Sequence, residues 1–235
     1  MLQQIKNKAI FLILILLLAG CSALTTHSRS PFEWITLANS GLSGMDNYTY
    51  RAHVEMGINP NIKMSTYNYN GEVHSHHEYT ISGDEIDATI LHPVKYMDVI
   101  NNKENNIAQV MNQPDVNTNG SGQYITFQVE ESVNNATTRW KSLLYQQFEQ
   151  VKLNSEHTKS KLSSQQLVDL TTLFEKSEAE LKQMLDTLKV ESQFFVTINS
   201  IYSIPISIEE HATLQYMRDG KQVDEYRIST VELQY

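Results

Sequence analysis

Between Tyr48 and Ile58 the chain alternates with period two. Tyr48, Tyr50, Ala52, Val54, Met56 and Ile58 fall on one side, and Thr49, Arg51, His53 and Glu55 on the other. Successive side chains on an extended backbone point to opposite faces, so this pattern predicts a strand buried on one face and wet on the other. Asn59-Pro60-Asn61 then turns the chain. Further strands are expected from about Met64 to Glu72, with Gly71 as a bend or bulge, and from about His74 to Ile81. After the tight turn Gly83-Asp84, another should run from Glu85 to Leu91. Shorter alternations place strands over Asn105–Met111, Gln123–Glu130, around Phe194, Val196 and Ile198, and around Ala212, Leu214 and Tyr216. Asp219-Gly220 is the strongest hairpin signal in the chain, with Tyr226, Ile228 and Thr230 on the returning strand.

Elsewhere the apolar spacing changes to three and four residues. Pro31 opens a helix with Phe32, Ile35 and Leu37 on its apolar side and Gly41 as its stop, and Pro93–Ile100 supplies one or two turns. Trp140, Leu144, Phe148 and Val151 mark a helix over Asn134–Lys152. Ser163 or Ser164 can cap a longer one, whose stripe is Leu167, Leu170, Phe174, Ser177, Leu181, Met184 and Leu188. That stripe ends after three heptads, which favours a single amphipathic helix lying on a sheet over a coiled coil. The predicted fold is α+β: a curved, mostly antiparallel sheet of eight or nine strands, an open half-barrel with helices on its concave face, in one domain spanning residues 31–235.

The first residues follow a different logic. Lys6 and Lys8 precede an apolar run from Ala9 to Leu18, too short for a spanning helix, which needs about 20 apolar residues. The segment closes on Leu18-Ala19-Gly20-Cys21, which resembles the lipobox of bacterial lipoproteins. The resemblance implies a signal peptide over residues 1–20 and a diacylglycerol attached to Cys21 as the mature N-terminus. It also implies a lipid-anchored protein on the extracytoplasmic face of a bacterial cell envelope. Residues 21–30 read as a lipidated cysteine and a short Ser/Thr tether, whose nine flexible residues span roughly 17 Å.

Cys21 is the only cysteine, so the mature domain has no disulfide and depends on its own core. The leader carries two of the 18 basic residues and none of the 27 acidic ones, which leaves the remainder at a net charge of −11. Such a surface is unsuited to nucleic acid or to close contact with anionic headgroups, so the lipid does the anchoring.

The order of elements from Pro31 to Tyr235 resembles the lipoprotein-carrier fold of LolA, LolB and the mycobacterial LppX/LprG lipoproteins, an opened antiparallel barrel with helices plugging its concave side. The resemblance implies a carrier or binding protein. The candidate groove pairs Tyr48, Tyr50, Val54 and Met56 on the first strand with Leu170, Phe174, Leu181 and Met184 on the long helix. Met and Tyr suit such a groove, Met being pliable and Tyr combining an apolar body with a polar tip.

One cluster has metal-ligating chemistry. In Val-His-Ser-His-His-Glu-Tyr, a strand would place His74, His76 and Glu78 on one side, which could hold Zn²⁺ or Cu²⁺ through N and O ligands. The same residues also read as a solvated strand face. Gly-x-Ser-x-Gly, His-Glu-x-x-His, a phosphate-cradling glycine loop and a dinucleotide fingerprint are all absent from the sequence, so the chain reads as non-catalytic and without a cofactor. Three functional classes remain, in this order: a carrier of an amphiphile, an interaction lipoprotein docking another envelope protein, and a metal-binding protein or hydrolase built on the histidine strand.

Overall fold

Alternation becomes sheet over most of the chain. In the computed structural model, which describes residues 29–58, 62–75, 78–83, 92–110, 124–159 and 162–235, the strands are β1 (Tyr48–Ile58), β2 (Lys63–His74), β3 (Glu78–Gly83), β4 (Asn106–Val110), β5 (Tyr124–Glu130), β6 (Lys189–Asn199), β7 (Ile204–Arg218) and β8 (Lys221–Gln234). The helices are α1 (Pro31–Ser43), α2 (Pro93–Ile100), α3 (Val133–Lys159) and α4 (Ser164–Thr187). The expected strand Glu85–Leu91, the leader with Cys21, and His76 lie outside the described residues.

All eight strands join one open antiparallel sheet in the order β3-β2-β1-β8-β7-β6-β5-β4. Two meanders, β1–β3 and β4–β8, are zipped together where β1 pairs with β8. Asp219-Gly220 makes the β7–β8 hairpin as expected: both residues have positive φ (51° and 73°) and Arg218 pairs with Lys221 across the turn. Register shifts at Met56/Gly57 and Thr197/Ile198 interrupt two ladders, and such irregularities bend a strand and increase its twist. The sheet curves, and the helices fill its concave side.

The alternation in β1 holds from Tyr48 to Val54, with Tyr48, Tyr50, Ala52 and Val54 buried and the residues between them facing out. Past the register shift at Met56/Gly57 it reverses, so that Gly57 is buried and Ile58, expected on the covered face, is exposed. Gly71 is not a bulge. It stands in regular register opposite Tyr50, and a Cβ there would lie 2.1 Å from the Tyr50 ring, so glycine is the residue that lets the ring lie across the neighbouring strand. The single strand expected over His74–Ile81 is instead the tip of a hairpin. Ser75 takes a left-handed φ of 51°, which ends β2, and β3 starts again at Glu78 opposite His74.

α1 runs on through Gly41 because Leu42 continues the buried stripe of Ile35 and Ala38. α3 begins earlier and ends later than its apolar spacing suggested; Ser132 accepts from Asn135 N at its start. α4 is capped by Ser163, whose side chain accepts from Gln166 N while the Gln166 side chain accepts from Ser163 N, a reciprocal capping box. α3 and α4 form an antiparallel pair inserted between β5 and β6, with Phe148 edge-on to Phe174 at 6.2 Å and Lys152 Nζ 3.5 Å from Glu178.

Two apolar clusters result. α1, α2 and the strands β1, β2, β5, β6 and β8 enclose the larger one, around Tyr50, Met97, Phe127, Phe194 and Ile198. The smaller one packs Ala136 and Trp140 of α3 on Val190, Ala212, Leu214 and Tyr216. Val190 N donates to Thr137 Oγ1 at 3.0 Å and fixes α3 against β6. Residues Pro31–Tyr235 form one compact unit. Among the described residues, no helix is long and apolar enough to cross a membrane.

Candidate functional site

The β7–β8 register sets Ser229 beside Glu210 and Arg227 beside Ala212, while β6 brings Ser192 beside Ala212. A polar seam therefore crosses the concave face where alternation alone would place apolar residues. Burying charge is costly unless partners meet it. Arg139, from the second turn of α3, supplies that partner. Its Nη2 donates to Glu210 Oε1 at 2.6 Å and to Ser192 Oγ at 3.1 Å, and its Nε and Nη2 grip Glu131 at 2.7–3.2 Å. Ser192 Oγ in turn donates to Glu210 Oε1 at 2.9 Å. Burial by itself would lower the Arg139 pKa, but Glu210 and Glu131 raise it on balance, so the guanidinium stays charged. Above this seam lies Tyr96, whose hydroxyl burial pushes up to about 12, with Glu210 adding to the rise.

Beyond Trp140, α3 parts from the sheet. It is 27 residues long, roughly 40 Å, and only its first turns rest on β6. A cavity of about 1110 Å³ opens between its middle and the sheet, just above the roughly 300–1,000 Å³ usual for small-molecule sites. Its floor is Val54, Met56, Tyr67, Tyr69 and Leu214; its roof is Trp140, Leu144, Tyr145, Val151 and Leu153. Met64 and Val151, 62% and 60% exposed, give its rim apolar side chains, interspersed with Ser65, Gln146, Gln147, Gln150 and Asn154.

Three charged residues line this space. Glu149 pairs with Lys152 at 3.9 Å, and Glu225 accepts from the Tyr216 hydroxyl at 2.5 Å, with burial and that carboxylate raising the Tyr216 pKa. Arg227 is the one cation among the described lining residues. It is 7% exposed, donates from Nε to Ser229 Oγ at 3.1 Å, and lies 5.3 Å from the centre of the Trp140 ring.

Of the groove residues expected from sequence, Val54 and Met56 line the cavity. Tyr48 and Tyr50 belong to the closed larger cluster, where burial raises both hydroxyl pKa values, that of Tyr50 to about 12. Leu170, Phe174, Leu181 and Met184 do not face β1. α4 packs on α3 and on β7, its C-terminal end bringing Met184 onto the smaller cluster; none of its described residues is fully buried. The wall facing β1 is α3, whose Trp140, Leu144 and Val151 line the cavity together with Val54 and Met56. Arg227 and Arg139 were missed, since a charged residue in an alternating strand or on a helix reads as solvent-facing.

His74 is exposed, with Nε2 3.4 Å from Glu72 and Nδ1 3.4 Å from Asn47, and Glu78 faces it across the hairpin. Among the described residues, no three His, Cys, Asp or Glu side chains converge to hold a metal ion. On the convex face His211 meets Glu209, and Phe195 stands edge-on to His211 at 5.4 Å.

No protein-family model matches the chain, and no curated protein matches it either.

Proposed function

We propose that this chain is a non-catalytic binding or carrier protein for an amphiphile, held by a lipid on Cys21 at the extracytoplasmic face of a bacterial envelope. The observation that carries the carrier reading is the large cavity between α3 and strands β1, β2, β7 and β8, whose walls combine Val, Met, Leu, Tyr and Trp with a polar edge of Ser65, Gln146, Gln147, Gln150 and Asn154. Acyl chains entering it would gain about 0.8 kcal/mol per buried methylene, before ordering costs. The anchor reading rests on the lipobox-like Leu18-Ala19-Gly20-Cys21.

A second reading has its own support. The exposed apolar side chains Met64, Val151, Leu153, Val168 and Leu173 lie on and near α3 and α4, and would suit docking by another envelope protein. Native mass spectrometry of the full chain, released gently from detergent, separates the two. A carrier retains a non-covalent amphiphile mass that leaves on activation. A chain that carries only its covalent anchor, even after incubation with lipid extract, favours the docking protein.

A further inference from the structure

A guanidinium at the wall of an apolar cavity needs a reason. Arg227 has one side-chain acceptor, Ser229 Oγ, which takes its Nε–H. Among the described residues it forms no ion pair, and Glu210, the seam carboxylate on the neighbouring strand, is held by Arg139 and Ser192. The indole N–H of Trp140, against whose ring Arg227 lies, has no hydrogen-bond partner either. The other two charges lining the space, Glu149 and Glu225, are already engaged by Lys152 and Tyr216. Arg227 thus lines the cavity as a buried cation whose Nη–H donors have no side-chain acceptor among the described residues, beside the apolar Val54, Met56 and Leu144.

Building on the carrier reading, we propose that Arg227 is the headgroup receptor of this cavity and that the ligand is an amphiphile bearing a single negative charge, a carboxylate or a phosphodiester, bound head inward. The oxyanion accepts from the Arg227 Nη atoms, in the paired geometry a guanidinium offers to carboxylate and phosphate. Its chain lies between Val54, Met56 and Tyr67 on the floor and Leu144 and Val151 on the roof, and leaves past Met64. With Glu225 and Glu149 lining the same space, a ligand carrying two negative charges is disfavoured relative to one carrying a single charge. The acidic surface does not oppose this, because salt screens exposed charges beyond about 10 Å while a buried guanidinium is screened much less.

The test uses the full chain in nanodiscs of zwitterionic lipid, in a Trp34→Phe background so that Trp140 is the reporting indole. Its fluorescence is quenched by brominated hexadecanoic acid, the matching brominated alcohol, or brominated phosphatidylglycerol. The expected result is that at least one anion quenches at roughly ten- to a hundredfold lower concentration than the alcohol, the range for hydrogen bonds to a charged group; which anion does so identifies the headgroup. Arg227→Gln brings that anion to the level of the alcohol and leaves the alcohol unchanged, and Arg227→Lys retains part of the preference. The proposal is overturned if the parent chain binds alcohol and both anions equally, or if Arg227→Gln leaves the preference intact. Should Arg227→Gln lose its cooperative melt, the parent ratio and Arg227→Lys decide. If none of the three quenches saturably, the carrier reading falls and this one falls with it.

Discussion

Arg139 Nη2 stands 2.6 Å from Glu210 Oε1, and this contact ties α3 to the middle of the sheet. Glu210 is 2% exposed, and Glu131, on the other side of the guanidinium, is buried too. The cation answers two carboxylates that water cannot reach. Arg139→Met should therefore destabilise the protein by about 3–5 kcal/mol, because it leaves both carboxylates buried without a countercharge. Urea unfolding measures this directly. Replacing Glu131 and Glu210 by Gln in the same chain should recover much of the loss; a single Arg139→Met variant within about 1 kcal/mol of the parent would mean that the seam contributes little.

His92 predicts a dependence on acid. It caps α2 through Nδ1, which accepts from Val94 N at 3.3 Å, and its ring meets Tyr79 and Tyr50 edge-on at 5.1 and 6.4 Å. Burial lowers its pKa from the ordinary 6.5, with Lys95 adding to the fall and Asp98 opposing it. The sign follows: a depressed folded-state pKa means that this contribution is fully present above pH 6.5 and is lost as pH falls through the lowered value. Protonation also removes the lone pair that caps the helix. Melting temperatures measured in steps below about pH 6.5 should fall more steeply for the parent than for His92→Asn, which can cap but cannot titrate. Parallel curves would remove His92 from the account.

Much of the fold is readable in the sequence because one physical cause dominates there. Tyr48, Tyr50, Ala52 and Val54 alternate since one face of β1 is covered, and Asp219-Gly220 turns because both residues accept positive φ. The stripe of α4 was equally plain, but periodicity names the apolar face of a helix without naming what it meets. Phe174 meets Phe148 of α3 rather than β1, a pairing between two helices that the spacing within either one does not reveal. The extended reading of His74–Glu78 failed on the left-handed backbone of Ser75, a residue whose type does not announce it. The polar seam was hidden for a related reason: Glu210, Arg227 and Arg139 are inside only because they meet one another or an aromatic ring across elements far apart in sequence.

The anchor rests on one atom. No other thiol exists in the chain to form a thioether, so Cys21→Ala should abolish incorporation of a fatty-acid analogue and release the protein from the membrane fraction. Metabolic labelling followed by fractionation reads both. Label retained by the alanine variant would contradict the lipobox reading.

Occupancy of the cavity is the central claim, and filling it is the most direct test. Met56 on the floor and Leu144 on the roof face the same space, so Met56→Trp with Leu144→Trp should occupy it with two indoles. The measurement is equilibrium binding of a fluorescent long-chain acyl probe to the full chain in nanodiscs, corrected for partition into the lipid, alongside a urea melt. The account predicts saturable one-to-one binding by the parent and its loss in the double variant, with cooperative unfolding preserved. No saturation by the parent, or equal saturation by the filled variant, would contradict it.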